Sequence, residues 1–245
     1  MKRWLPGLAL LLCICLALAS CGPTVPVITV AQIPWADSET TYYVVKDTQG
    51  TELGTLNMTI QREGEHYLMA SYTVIGNTTD DITITMNAND LKPISETRTV
   101  NMPLGGALPK GLYEVRAIYK DNNKVTIDAD LPGDHHEGPY EFNIPADSYS
   151  NDQVWYLFRT LPFEEGYAGR YTNIIIWTNY QTPTATITVV GNETVETPVG
   201  SFDCHKLELS VLNITIHFWC SVDPPHYLVK YQKVDTILLL AGLQQ

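Results

Sequence analysis

Two histidines between two acids, Asp134-His135-His136-Glu137, put four metal-ligating side chains in a row. Consecutive residues cannot all converge on one ion, and the flanking Gly133 and Gly138 mark the stretch as a solvated loop tip. Glu208 and His217 come opposite each other if the chain reverses at Leu212-Asn213, which would make an acid/base pair. Cross-strand attraction between opposite charges explains the same pairing without catalysis. Cys204 and Cys220, with His205 beside the first, offer thiol or metal chemistry, yet nothing near them has a zinc-knuckle spacing. Glu164-Glu165 lacks a spaced partner for glycoside hydrolysis, and Asp80-Asp81 reads as a turn. Gly-x-Ser-x-Gly, His-Glu-x-x-His, Ser-x-x-Lys, a Walker loop and a dinucleotide fingerprint are absent. These patterns assign no catalytic residue, no metal ligand and no cofactor.

The aromatic residues point to binding instead. There are 14 Tyr and 5 Trp beside only 5 Phe, and most of the tyrosines fall in or next to strand-like runs. Such residues pack half-buried with a wet hydroxyl, and a subset can line a cavity for a lipid, a peptide or a glycan. Trp155, Phe158, Tyr167 and Trp177 are the candidate cavity-lining residues: Phe158 lies on the one helical stripe, Trp155 flanks it, and the others follow it. The flexible Gly166-Tyr167-Ala168-Gly169 stretch would let that helix act as a lid.

The N-terminus carries an address. Lys2 and Arg3 precede sixteen uncharged, largely apolar residues, Trp4 to Ala19, and then comes Leu18-Ala19-Ser20-Cys21. A basic start, an apolar stretch shorter than the ~20 residues of a spanning helix, and small residues at the end make a signal segment over 1–20. The Leu-Ala-Ser-Cys ending resembles the bacterial lipobox, which implies that Cys21 is acylated and that the mature protein is membrane-anchored outside the cytoplasm. Loss of residues 1–20 removes two cations and no acid, so 15 cations against 27 acids become 13 against 27, and the net charge moves from −12 to −14. A body that acidic offers no footprint for nucleic acid. Residues 21–37, with prolines at 23, 26 and 34, read as an extended tether, and 38–245 as one β-rich domain.

The elements that must position these side chains are strands. Leu56, Met58 and Ile60 alternate with polar neighbours, as do Ile82, Ile84 and Met86, and turn residues recur at short spacing. Residues 131–141 read as a polar loop, and Ser150 to Leu161 as the one helix, with Val154, Leu157, Phe158 and Leu161 on its apolar side. An antiparallel sheet of roughly ten strands should curl or close. The expected fold is all-β with one short helix, a large curved antiparallel sheet forming a half-barrel or barrel; a β-sandwich is the alternative.

In the C-terminal third, Val190-Gly-Asn-Glu-Thr-Val-Glu-Thr-Pro-Val-Gly-Ser-Phe-Asp-Cys204, then Lys206-Leu-Glu-Leu209, Phe218-Trp219 and Pro225-His-Tyr-Leu-Val-Lys-Tyr231 follow in order. With Leu161-Pro162-Phe163 and Glu165-Gly166-Tyr167 upstream, the chain resembles a widespread family of exported bacterial β-rich proteins classed as a domain of unknown function. That resemblance implies a curved, barrel-like sheet akin to periplasmic lipoprotein carriers, and brings no catalytic residues. Within the segment, apolar matching pairs Val211 with Ile214, Leu209 with Ile216 and Leu207 with Phe218. This register puts Cys204 on the polar face and Cys220 on the apolar one; a bulge would bring them together as a disulfide, and both outcomes stay open. Three functions follow: a lipid-anchored carrier or binding module for an apolar or amphipathic ligand, a structural envelope module without a ligand, or a hydrolase without a familiar motif.

Overall fold

A computed structural model describes residues 24–106, 108–177 and 180–244. The signal segment 1–20 and the acylated Cys21 expected from the sequence fall outside the described residues. Strands follow one another as β1 (Ser38–Asp47), β2 (Glu52–Glu63), β3 (His66–Ile75), β4 (Thr78–Asn87), β5 (Pro93–Met102), β6 (Gly111–Lys120), β7 (Lys124–Leu131) and β8 (His135–Asn143). After β9 (Ser148–Ser150) and a helical segment come β10 (Ala168–Ile174), β11 (Thr184–Thr197), β12 (Gly200–Val211), β13 (Ile214–Ser221), β14 (Leu228–Lys233) and β15 (Thr236–Gln244).

All fifteen strands described form one sheet, in the order 8-7-6-5-4-3-2-1-15-14-13-12-11-10-9. Two meanders are joined by the antiparallel pairing of the first strand with the last, Val45 opposite Leu238. The short β9 runs parallel to β10; every other pairing is antiparallel. The two edge strands, β8 and β9, are neighbours in sequence, separated only by residues 144–147. Five residue steps reach at most about 18 Å, so the two ends of the sheet are held close and the sheet has to curl. It stays open, since no backbone ladder joins β8 to β9. The result is a curved half-barrel, neither a closed barrel nor a two-sheet sandwich.

The alternating positions face the inside of this curl. Leu56, Met58 and Ile60, then Ile82, Ile84 and Met86, then Leu207, Leu209 and Phe218 are all buried in one core. The β12–β13 register is the expected one: Val211 pairs with Ile214, Leu209 with Ile216 and Leu207 with Phe218. Leu212 and Asn213 both take left-handed φ, +48° and +62°, as the tight turn between twisted strands requires.

The helical segment is shorter and more broken than the sequence suggests. A single α-turn, α1 (Val154–Leu157), lies between 3-10 turns at Asn151–Gln153 and Phe158–Thr160. Ser150 caps it: its hydroxyl accepts the Asp152 N–H at 3.1 Å, and the Gln153 side chain accepts the Ser150 N–H at 3.2 Å. One α-turn has no stability of its own, so burial of Val154, Leu157, Phe158 and Leu161 holds it in place.

Three readings are corrected here. Asp80 and Asp81 are strand residues of β4, not a turn; Gly76-Asn77 makes that reversal, and the Asp80 carboxylate is bound by Arg98. Residues 135–143 form an edge strand instead of continuing the polar loop, and were illegible because both faces are wet and the alternation vanishes. The segment 24–37 is not a free tether. Arg170 donates its N–H to the Pro26 carbonyl at 2.8 Å, Ile28 donates its own to the Arg170 carbonyl at 2.9 Å, and Ile28 and Trp35 are buried in the main core. Among the described residues no helix is long and apolar enough to cross a membrane.

Candidate functional site

The helical segment fills the centre of the half-barrel. Arg159, 3% exposed, donates Nη1 to Glu39 Oε1 at 2.7 Å and Nη2 to Glu39 Oε2 at 2.9 Å, a two-pronged ion pair to β1. The Pro225 carbonyl accepts from Nη2 at 2.9 Å, and the rings of Trp35, Tyr156 and Tyr227 surround the guanidinium at 5.0–5.4 Å. This site is saturated: each charge has a partner, and it functions as a clamp between helix, first strand and N-terminal segment. Phe158 is fully buried, edge-on to Phe218 at 5.0 Å. Trp155 lies against Phe218 and Tyr231, with ring centroids 6.0 and 4.7 Å away. Tyr167 lies over Gly169, where a Cβ would come within 2.9 Å of its hydroxyl and 2.8 Å of Ile28. These three candidates therefore line packed core, and the helix plugs the centre instead of lidding a cavity.

The open space lies elsewhere. A cavity of about 450 Å³ is walled on one side by β6, β7 and β8 and on the other by Ile176, Trp177 and Tyr180. Tyr113, Val115, Ile127, Phe142, Trp177 and Tyr180 supply most of its surface. Phe142 and Tyr180 stack at 4.0 Å, and Trp177 meets Tyr113 edge-on at 5.5 Å. Of the four candidates read from the sequence, only Trp177 belongs here. The size and lining are those of a small-molecule site.

A buried polar chain holds the Trp177 wall. Arg98 sits 4.8 Å from the Trp177 ring centre, and its Nε and Nη2 donate to the two oxygens of Asp80 at 3.0 and 2.6 Å. Nη1 reaches Asp152, at the helical N-terminus, at 3.3 Å. Behind Asp152 lies Glu96, 1% exposed, which accepts the Tyr119 hydroxyl at 2.9 Å. Burial first, and then the neighbouring Asp152 charge, push the Glu96 carboxyl well above its usual range, which favours its neutral form. Sequence reading missed Arg98, Glu96, Glu39 and Arg159; for the first three, a charge at an inward position of an alternating strand was the available signal, and for Arg159 a charge inside the apolar helical segment.

The remaining candidates do not assemble. Cys204 and Cys220 are free and buried, and leave the sheet on opposite faces, Cys220 into the main core and Cys204 into a smaller outer one with Trp219 and Val229. Cys204 thus faces a second apolar cluster where a polar face was expected. Burial pushes both thiols up to about 12, which leaves them protonated and unreactive at neutral pH. His136 turns to Asp130 at 2.8 Å and Asp128 at 3.1 Å, while His135 turns to Glu137 at 3.2 Å. No group of three metal-ligating side chains converges among the described residues. Glu208 and His217 pair across β12 and β13 at 3.6 Å, as their register requires.

The family model "Protein of unknown function (DUF3108)" matches residues 39–237. No curated protein matches the chain in sequence. Among solved structures, a "putative lipoprotein" from Parabacteroides distasonis is 10% identical, with 86% of this chain and 97% of that one covered at a TM-score of 0.33. A "putative exported protein with YmcC-like fold" from Bacteroides fragilis is 12% identical, with 87% and 98% covered at a TM-score of 0.31.

Proposed function

The chain belongs to the DUF3108 family of proteins of unknown function, and from that premise we propose that it is an extracytoplasmic, lipid-anchored protein that binds an apolar or amphipathic ligand. Binding, without catalysis, is the activity assigned to it, and the site is the cavity between β6–β8 and the side chains of Ile176, Trp177 and Tyr180. The observation that carries this reading is that space of about 450 Å³, walled by aromatic and branched side chains and left unfilled by the protein itself. The anchor is supported by the apolar N-terminal segment and the Leu18-Ala19-Ser20-Cys21 ending.

Two measurements test it. Native mass spectrometry of the protein from its own envelope should find a co-purifying lipid, and the delipidated protein should bind an environment-sensitive apolar dye in competition with lipid. Absence of saturable dye binding would leave a structural envelope module, the reading favoured by the packed centre around Arg159 and Phe158. Separately, Cys21→Ser should abolish incorporation of a fatty-acid probe; undiminished labelling would end the anchor proposal.

A further inference from the structure

We infer that the ligand is a single-chain amphiphile, seated with one alkyl tail in the apolar cavity and its polar head in the adjoining groove beside His135 and Lys110. This rests on the binding reading above and adds to it the number of chains and their direction.

The volume sets the number of chains. A liquid water takes about 30 Å³ and a methylene nearly as much, so some 450 Å³ holds on the order of fifteen such groups. That is one long alkyl chain. Two chains of a membrane phospholipid would need about twice the space, and the aromatic stacks that wall the cavity, Phe142 on Tyr180 and Tyr113 on Trp177, leave little freedom to widen it.

The chemistry of the lining sets the direction. Val115, Ile127, Ala129 and Ile176 present only carbon to the cavity, and the His135 imidazole and the Glu137 carboxylate stand on its wall. His135, Leu131 and Pro132 also line a second space, a groove whose other walls include Lys110, Asp134 and His136. The two spaces thus share one rim, with carbon on one side and charge on the other. A free alkane would leave the groove unused, and a compact polar solute would leave the cavity unfilled. A molecule with one tail and one small head uses both. At the rim, Asp130 is already engaged by Arg116 at 2.7 Å and by His136 at 2.8 Å, and His135 is paired with Glu137 at 3.2 Å, so Lys110 is the cationic side chain left to meet a head. A fatty-acid carboxylate and a lysophospholipid phosphate both satisfy this chemistry.

The test uses residues 22–245, which retain every described residue, after delipidation. Palmitate and palmitoyl-lysophosphatidylcholine are titrated separately, each also with a brominated chain, alongside dipalmitoyl-phosphatidylcholine vesicles and the apolar dye. The expected result is saturable 1:1 binding of one or both single-chain probes by native mass spectrometry, with bromine quenching of tryptophan fluorescence. Trp177→Phe should keep the 1:1 complex and lose most of the quenching. Ala129→Phe, which narrows the cavity, should weaken binding at least about tenfold; Val115→Trp serves the same purpose if the first variant does not fold. Lys110→Glu should weaken palmitate by about threefold, as expected of an exposed charge pair, and leave the dye unchanged. Two chains per protein, or binding of the diacyl lipid or dye with neither single-chain probe, would overturn the inference and leave the binding reading intact. Failure of every probe, dye included, would overturn both. Preference between the two heads distinguishes a free fatty acid from a lysolipid.

Discussion

Glu96 ties local chemistry to the stability of the whole chain. The fold raises the pKa of its carboxyl through burial and the Asp152 charge, so the protonated form is the one the native state favours. A carboxyl raised in this way contributes stability that is complete below its ordinary value of 4.5 and lost as pH rises from there toward its folded value. Glu96→Gln keeps the acceptor for the Tyr119 hydroxyl and removes the titration. It should leave stability unchanged below pH 4.5 and raise it at pH 7, read from urea unfolding at the two pH values. An equal effect at both would show that the Glu96 carboxyl is not raised. Glu141 has the opposite sign: Lys120 and Lys124 hold it down to about 2, so its contribution is present above 4.5 and lost as pH falls through about 2. On β12, Leu209 faces the core and Glu208 the solvent side. Leu209→Asp should cost several kcal/mol by burying an unpaired charge, and Glu208→Ala under about 1 kcal/mol; reversed costs would mean the register is one residue off.

At the scale of elements, the helical segment is a packing device fastened by one ion pair. Phe158→Ala should cost about 3–5 kcal/mol in chemical denaturation, the range for a buried aromatic, with no new dye binding at the centre. A cost near zero would restore the lid. Glu39→Gln strips the carboxylate from a buried Arg159 and should cost about 3–5 kcal/mol, whereas Glu39→Leu with Arg159→Met should recover most of that loss. If the double variant is as damaged as the single, the guanidinium acts through its bonds to Pro225 and its three rings more than through Glu39.

For the whole molecule, the N-terminal segment is part of the fold. Ile28 and Trp35 are buried, and residues 26–28 cover the stretch of the β10 edge that the three-residue β9 leaves bare. Deleting residues 22–37 should lower the unfolding free energy by a few kcal/mol, at about 1.5–3 kcal/mol for each large side chain removed from the core, and should promote association through the exposed edge. Differential scanning calorimetry and light scattering measure the two effects; an unchanged Tm would mean the segment only rests on the surface. Because the segment is docked, an acyl anchor on Cys21 would hold the half-barrel within a few residues of the membrane.

The strands and their faces were readable from the sequence because side-chain alternation is a local, period-two signal, as in Leu56-Met58-Ile60. The β12–β13 hairpin was readable to its register, because its partners are close in sequence and only one alignment matches apolar with apolar. The Leu18-Ala19-Ser20-Cys21 ending, on which the proposed anchor rests, is likewise a local pattern. What only the tertiary structure decided is everything that depends on distant residues meeting. The pairing of β1 with β15, the Glu39–Arg159 clamp across 120 positions and the Arg98–Trp177 contact leave no periodic trace in the chain. The helix illustrates the limit: its apolar stripe was legible, but whether that stripe met packed side chains or empty space depended on how far the sheet curled. The cavity arises where that curl brings Ile176, Trp177 and Tyr180 over β6–β8, and an unfilled space is set by the distance between surfaces, which no run of residues encodes.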